Sequence, residues 1–123
     1  MRYWLVMPAA GSGRRFRDPD RAGNPPKQYA DLLGRPVIEW ALAPFVDDPR
    51  CTGIVVALAP GDPHWPTIAV RSGLQGVRIA QGGAERGHSV RSGLAALAGR
   101  AAAEDWVLVH DAARPCLART DLD

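Results

Sequence analysis

Small residues run from Ala9 through Ala10, Gly11 and Ser12 to Gly13, and Arg14 and Arg15 follow at once. A backbone without bulky side chains turns sharply, approaches a ligand closely and aims its N–H groups at phosphate oxygens. Guanidinium groups then pair phosphate through two parallel bonds. The run is not a Walker A loop, since no Gly-Lys-Ser/Thr follows. Nor is it the dinucleotide fingerprint, since Phe16 stands where the third glycine belongs. A plain tight turn from strand to helix would need the same small residues.

Three further segments carry chemistry. Pro25 and Pro26 stiffen the approach to Lys27, which is followed by Gln28 and Tyr29. Of the 15 Lys and Arg residues, Lys27 is the one lysine, which points to a need for an ammonium rather than a guanidinium there, although chance would leave the same count. Its compact charge suits a polyphosphate, although a solvated loop lysine reads the same way. Gly82 and Gly83 precede a helical stretch and could wrap a flat ligand with backbone groups. Ser89 could cap that helix or bond a base edge. His88 has no His or Cys partner at metal spacing and reads as a surface histidine. Finally, Asp111 follows the apolar run 106–109, where a carboxylate is placed to bind Mg²⁺ that bridges phosphates. Arg114 offers a phosphate contact on the same loop, and Asp111 with Arg114 could equally be a structural pair. Asp62, after Pro60 and Gly61, reads as a turn residue. Two or three cations, one carboxylate and two glycine loops, without a nucleophile or a Ser-His-Asp order, suit phosphoryl or nucleotidyl transfer. There the protein mainly positions groups and offsets charge.

The elements that must position these residues alternate. Continuous apolar runs at 3–7 and 53–59 predict strands covered on both faces, 77–80 a weaker strand and 106–109 a clear one. Pro36 suits a first helical position, and Val37, Ile38, Ala41, Leu42 and Phe45 then share one face at helical spacing. Pro44 should distort that helix near its end, and Asp48 and Pro49 stop it. Residues 89–98 repeat the helical pattern with Val90, Leu94 and Leu97 on the apolar face and Gly99 as the stop. The prolines in 61–76 leave that stretch ambiguous. The alternation predicts an α/β fold with a doubly wound, mostly parallel sheet. Each unusual segment follows a strand, and ligands of open α/β sheets sit at the strands' carboxyl ends.

A chain of 123 residues allows one domain with a core of its own. Its 46% apolar and 23% charged residues exclude disordered, collagen-like and coiled-coil chains. A net charge of +2 is too mild to argue for nucleic acid or a membrane surface. No apolar run reaches the ~18 residues of a membrane span. The N-terminal apolar stretch is too short for a signal peptide. Cys51 and Cys116 then read as free cytosolic thiols. The last residues, 120–123, look like a helix start with no helix behind it, and four strands make a small sheet for this class. The expectation is a truncated chain.

Taken in order, residues 8–15, Pro26-Lys27-Gln28-Tyr29, Gly82-Gly83-Ala84-Glu85-Arg86 with Ser89-Val90, and 109–115 resemble the 2-C-methyl-D-erythritol 4-phosphate cytidylyltransferase family over nearly the whole chain. Ribitol-5-phosphate cytidylyltransferase shares most of these motifs. The resemblance implies a Rossmann-like nucleotidyltransferase fold. Residues 1–123 would be the nucleotide-binding N-terminal part, and the C-terminal part would be absent. It implies transfer of a cytidylyl group from CTP to methylerythritol 4-phosphate with Mg²⁺ as cofactor, in a cytoplasmic homodimer that takes neither nucleic acid nor membrane as partner. It assigns Arg15 and Lys27 as catalytic, and Ala9, Ala10, Gly11, Ser12, Gly13, Gly82, Gly83, Ser89 and Ala112 to the nucleotide. Asp111 goes to the metal or acceptor, and Arg114 to the sugar phosphate. Two departures stand out: 18–24 is longer and richer in Gly and Pro than usual, and Ala84 stands where many members carry Asp. Another polyol-phosphate acceptor, or a nucleotide-binding fragment without activity, stays open at this point.

Overall fold

The computed structural model of the chain describes residues 2–10, 27–74, 76–83, 85–98 and 105–112, with only the backbone at residue 27. The run of β-formers at the N-terminus makes β1, Tyr3–Ala9, every residue of which is buried. A 3-10 turn at Lys27–Tyr29 follows, then a hairpin of β2, Asp31–Leu32, and β3, Arg35–Pro36. Helix α1 spans Val37–Val46, β4 Cys51–Leu58, α2 Trp65–Arg71, β5 Arg78–Gln81, α3 Arg86–Leu97 and β6 Trp106–Val109.

The four longer strands form one sheet in the order β5-β4-β1-β6, with every pairing parallel. The chain winds outward from β1 through β4 to β5, then returns to the other side of β1 with β6. That reversal is the switch point of a doubly wound sheet, and it opens a crevice at the carboxyl ends of β1 and β6. The expected parallel α/β architecture is therefore present.

Strand alternation assigns the two faces. Tyr3, Leu5, Met7 and Ala9 pack with Ile38, Leu42 and Phe45 of α1 and Trp65, Ile68 and Ala69 of α2. Trp4 and Val6 point the other way, with Val55 and with Leu97 of α3. The α1 face matches its spacing, since Val37, Ile38, Ala41, Leu42 and Phe45 are its buried residues. Pro44 lies in the last turn, and the helix runs on to Val46 before Asp47 caps it. Helix α2 forms in the stretch whose prolines left it ambiguous. Pro66 occupies the first turn, where a missing N–H costs no helical bond.

Helix α3 starts three residues before its predicted first residue, and its inward face differs. Ser89, Gly93 and Leu97 are buried, whereas Leu94 is 41% exposed. Gly93 lies against Val6, and a Cβ there would collide with that side chain. The helix approaches β1 through small residues, so of the expected apolar face only Leu97 is fully buried.

Candidate nucleotide site

Three strand ends and a helix meet at Gly82. Its N–H donates to the Leu58 carbonyl at the end of β4 over 2.6 Å. A Cβ on Gly82 would collide with the Ala10 methyl and lie 2.7 Å from the Ser89 oxygen. Only glycine lets the backbone after β5 close on the chain leaving β1. Next to it, the Gly83 N–H donates to Ser89 Oγ at 3.3 Å. The cap of α3 is Glu85, without a side-chain cap bond, so Ser89 does not cap the helix. Its buried hydroxyl instead fixes the Gly83 peptide. The Ser92 hydroxyl bonds the Gln81 carbonyl and holds the same loop from the next turn.

Beyond β6 the chain continues alongside β1. The His110 N–H donates to the Val6 carbonyl at 3.1 Å and the Ala112 N–H to the Pro8 carbonyl at 3.2 Å. Asp111 is thereby bracketed by two bonds to the sheet. Ala112 is fully packed into the core beside β1. Asp111 Oδ1 accepts from Arg86 Nε at 2.8 Å, which joins the start of α3 to the end of β6. Arg86 is thus a described partner of Asp111, while Arg114 lies outside the described residues. Both side chains are partly exposed, so the pair contributes little stability.

The turn at Lys27–Tyr29 is tied down on two sides. Gln28, 6% exposed, donates from Nε2 to the Ala9 carbonyl at 2.9 Å. The Tyr29 hydroxyl donates to Asp62 Oδ2, and its ring lies 4.8 Å from the His64 ring. Burial, and then the bond to Asp62, push the Tyr29 hydroxyl well above the usual phenol range. Asp62 Oδ1 accepts from the N–H groups of His64 and Trp65, which is the turn role its sequence suggests. A groove of about 550 Å³ opens there, lined by Leu58, Pro60, Asp62, Trp65, Ile79 and Gln81.

Among the sequence-predicted site residues, Ala9, Ala10, Gly82, Gly83, Ser89, Asp111 and Ala112 thus gather at one end of the sheet, and Lys27 begins a turn anchored to that end. Gly11, Ser12, Gly13, Arg15 and Arg114 lie outside the described residues, as does the Lys27 side chain. His88 is exposed, as expected. Sequence reasoning gave no role to Gln28, Tyr29 or Arg86. The first two flank Lys27 and the third sits inside the glycine motif, but no spacing rule reveals which backbone atom or carboxylate each one meets.

The family model IspD, 2-C-methyl-D-erythritol 4-phosphate cytidylyltransferase, matches residues 3–123. The chain belongs to this family. It is 54% identical to the 2-C-methyl-D-erythritol 4-phosphate cytidylyltransferase of Halorhodospira halophila, covering 99% of this chain and 50% of that protein. It is 53% identical to that of Ectopseudomonas mendocina, covering 98% and 49%. A crystal structure of 4-diphosphocytidyl-2C-methyl-D-erythritol synthase superposes with a TM-score of 0.77 at 30% identity, over 99% of this chain and 51% of that one. The chain spans about half the length of the curated cytidylyltransferases it matches.

Proposed function

We propose that the protein transfers the cytidylyl group of CTP to 2-C-methyl-D-erythritol 4-phosphate. Pyrophosphate is released and 4-diphosphocytidyl-2-C-methyl-D-erythritol is formed, a step of isoprenoid synthesis by the non-mevalonate route. The observation that carries this reading is the junction at Gly82, in a chain of this family. There the ends of β1, β4 and β5 and helix α3 close on a glycine whose missing side chain lets them meet. Residues 1–123 act in this reading as the nucleotide-binding N-terminal part of a cytidylyltransferase domain. The setting is cytoplasmic and the assembly a homodimer. Among the described residues no helix is long and apolar enough to cross a membrane.

In the reaction, an acceptor phosphate oxygen attacks the α-phosphorus of CTP, one P–O bond forms, and the bond to pyrophosphate breaks. Charge crowds around the α-phosphate, and Lys27 and Arg15 offset it. Backbone N–H groups of residues 9–13 hold the triphosphate. Gly82, Gly83 and Ser89 read cytosine, with Ser89 holding the Gly83 peptide in register. Ala112 walls the nucleotide, and Arg114 takes the sugar phosphate.

The donor set suits magnesium. That ion is held by one or two carboxylates together with substrate phosphates. Asp111 is a partly exposed carboxylate at the crevice, and the described residues contain no cluster of three His, Cys, Asp or Glu. Asp111 would hold the ion, which when bound neutralises charge on the phosphates.

Calorimetric titration of the full-length protein with CTP, UTP, ATP and GTP, each with Mg²⁺, tests the nucleotide. Pyrophosphate release with methylerythritol 4-phosphate or ribitol 5-phosphate tests the acceptor. Selective CTP binding and turnover with the first acceptor are expected. Equal binding of all four nucleotides would overturn the cytidine reading, and turnover with ribitol 5-phosphate alone would overturn the acceptor.

A further inference from the structure

We propose that Gln28 is a positioning residue for the reaction. Its side-chain amide ties the turn that begins at Lys27 to the last carbonyl of β1, and so fixes where that turn stands against the end of that strand. The inference rests on the cytidylyl-transfer reading and assigns a role to a residue that the reading leaves unused.

Gln28 is almost fully buried, at 6% exposure. Burying a primary amide is costly unless its hydrogen bonds are made, and an apolar residue of the same size would fill the space without that cost. The bond from Nε2 to the Ala9 carbonyl, at 2.9 Å, spans 19 residues of sequence. Its acceptor does not move independently of the sheet. Ala9 is the last residue of β1 and is paired with Leu58, while the same strand pairs with β6 on its other side. The next residue, Tyr29, supplies a second tie through Asp62, whose other oxygen is engaged by the start of α2. Two consecutive side chains therefore clamp a three-residue turn to the end of β1 and to the loop that leads into α2, and Lys27 is the residue immediately before the clamp.

A lysine carries its charge on a flexible four-carbon stem. Precision in placing such a charge must come from its backbone. A misplacement of about 1 Å costs on the order of 10²-fold in rate. The clamp supplies that precision between the lysine turn and the chain leaving β1, where the triphosphate is held.

The test is a mutant cycle on the full-length protein, read as steady-state pyrophosphate release from CTP and methylerythritol 4-phosphate. Gln28→Met keeps the length of the side chain and removes the donor. The expected result is a fall in kcat of roughly 10- to 100-fold with KM for CTP little changed. The double variant Lys27→Ala/Gln28→Met is expected to turn over no more slowly than Lys27→Ala alone, because Gln28 acts through Lys27. Losses that multiply would overturn the proposal, and so would a Gln28→Met enzyme as fast as the parent. If Gln28→Met does not fold, Tyr29→Phe releases the second tie and is read by the same cycle against Lys27→Ala. Full turnover by Lys27→Ala would instead sink the role given to Lys27, a failure distinct from that of the clamp.

Discussion

Two buried tyrosines, at opposite ends of the same sheet, each donate a hydrogen bond to an aspartate. At the amino end, Tyr3 of β1 reaches Asp48 Oδ2 over 2.8 Å. Asp48 also accepts from the Arg50 N–H at 2.9 Å and from both Nε and a terminal nitrogen of its guanidinium at 3.1 Å. The nearby cavity of about 200 Å³ is lined by Phe45, Cys51, Ile54, Leu74 and Val77, apolar but for the Cys51 thiol. Burial pushes the Cys51 thiol upward, which disfavours its thiolate. At the carboxyl end, Tyr29 reaches Asp62, whose other partners among the described residues are backbone N–H groups and not a cation. The same pair of side chains closes the connection before β4 at one end and holds the lysine turn at the other. What differs is the third partner: a charge that locks the loop, or a peptide chain that aims a neighbour.

Substitutions separate the two ends, and the largest effect belongs to the carboxyl end. Lys27→Ala is expected to cut kcat by about 10²–10³ while leaving the thermal melt of the purified protein unchanged. A melt that falls with the activity would make Lys27 part of the scaffold and erase the distinction. Gly82→Val comes next. The added side chain would strike the Ala10 methyl and the Ser89 hydroxyl, and overpacking of this kind costs about 1–3 kcal/mol. Calorimetry is expected to show weaker CTP binding by the folded fraction. Parent-like affinity would remove Gly82 from the nucleotide site.

Exchanging the hydroxyls tests the comparison directly. Tyr3→Phe is expected to lower the melting temperature by a few degrees without touching kcat. Tyr29→Phe is expected to lower kcat by about five- to tenfold, because one tie of the lysine turn is lost. Melting curves and initial rates on both variants decide it. Equal behaviour of the two would mean that the tyrosines do one job.

How far these roles could be read in advance depended on the kind of residue involved. Helix α1 was legible because large apolar residues mark its buried face, and Phe45 and Leu42 leave no other phase. Helix α3 and its buried Leu97 were legible too, but the rest of its inward face was not, because it meets β1 through Gly93 and Ser89, and small or polar residues carry no periodic signal. The hairpin of β2 and β3 is two residues a side, too short for alternation to show. Its turn is marked only by Leu33 and Gly34, both with positive φ, of 54° and 85°. In the site, glycine motifs and Asp111 were visible because their chemistry is scarce. The clamp at Gln28 and Tyr29 was hidden because it consists of contacts across 19 and 33 residues, which one sequence does not reveal.

The smallest effect, and the one most specific to the amino end, is in the pH dependence of stability. The Arg50 guanidinium, then its backbone N–H, hold the Asp48 carboxyl well below the usual carboxylate range, against the opposing effect of burial. An aspartate in the unfolded chain titrates near 3.9. Between the two values the unfolded state binds the proton and the folded state does not. Stability from this group is therefore fully present above about pH 4 and drains away as the pH falls further. Asp48→Asn is expected to melt lower than the parent at neutral pH, with the gap narrowing once the pH drops below about 4. The tyrosines act with the opposite sign. Burial first, then the bonds to Asp48 and Asp62, raise both hydroxyls above their unfolded value near 10, so their contribution is present below that pH and lost above it. Melting curves from pH 2 to 11 on the parent, Asp48→Asn and the two Tyr→Phe variants separate these limbs. An acid limb unchanged in Asp48→Asn would show that Arg50 does not hold this carboxylate. The amino-end network would then be no more than the hydrogen bond it shares with the other end.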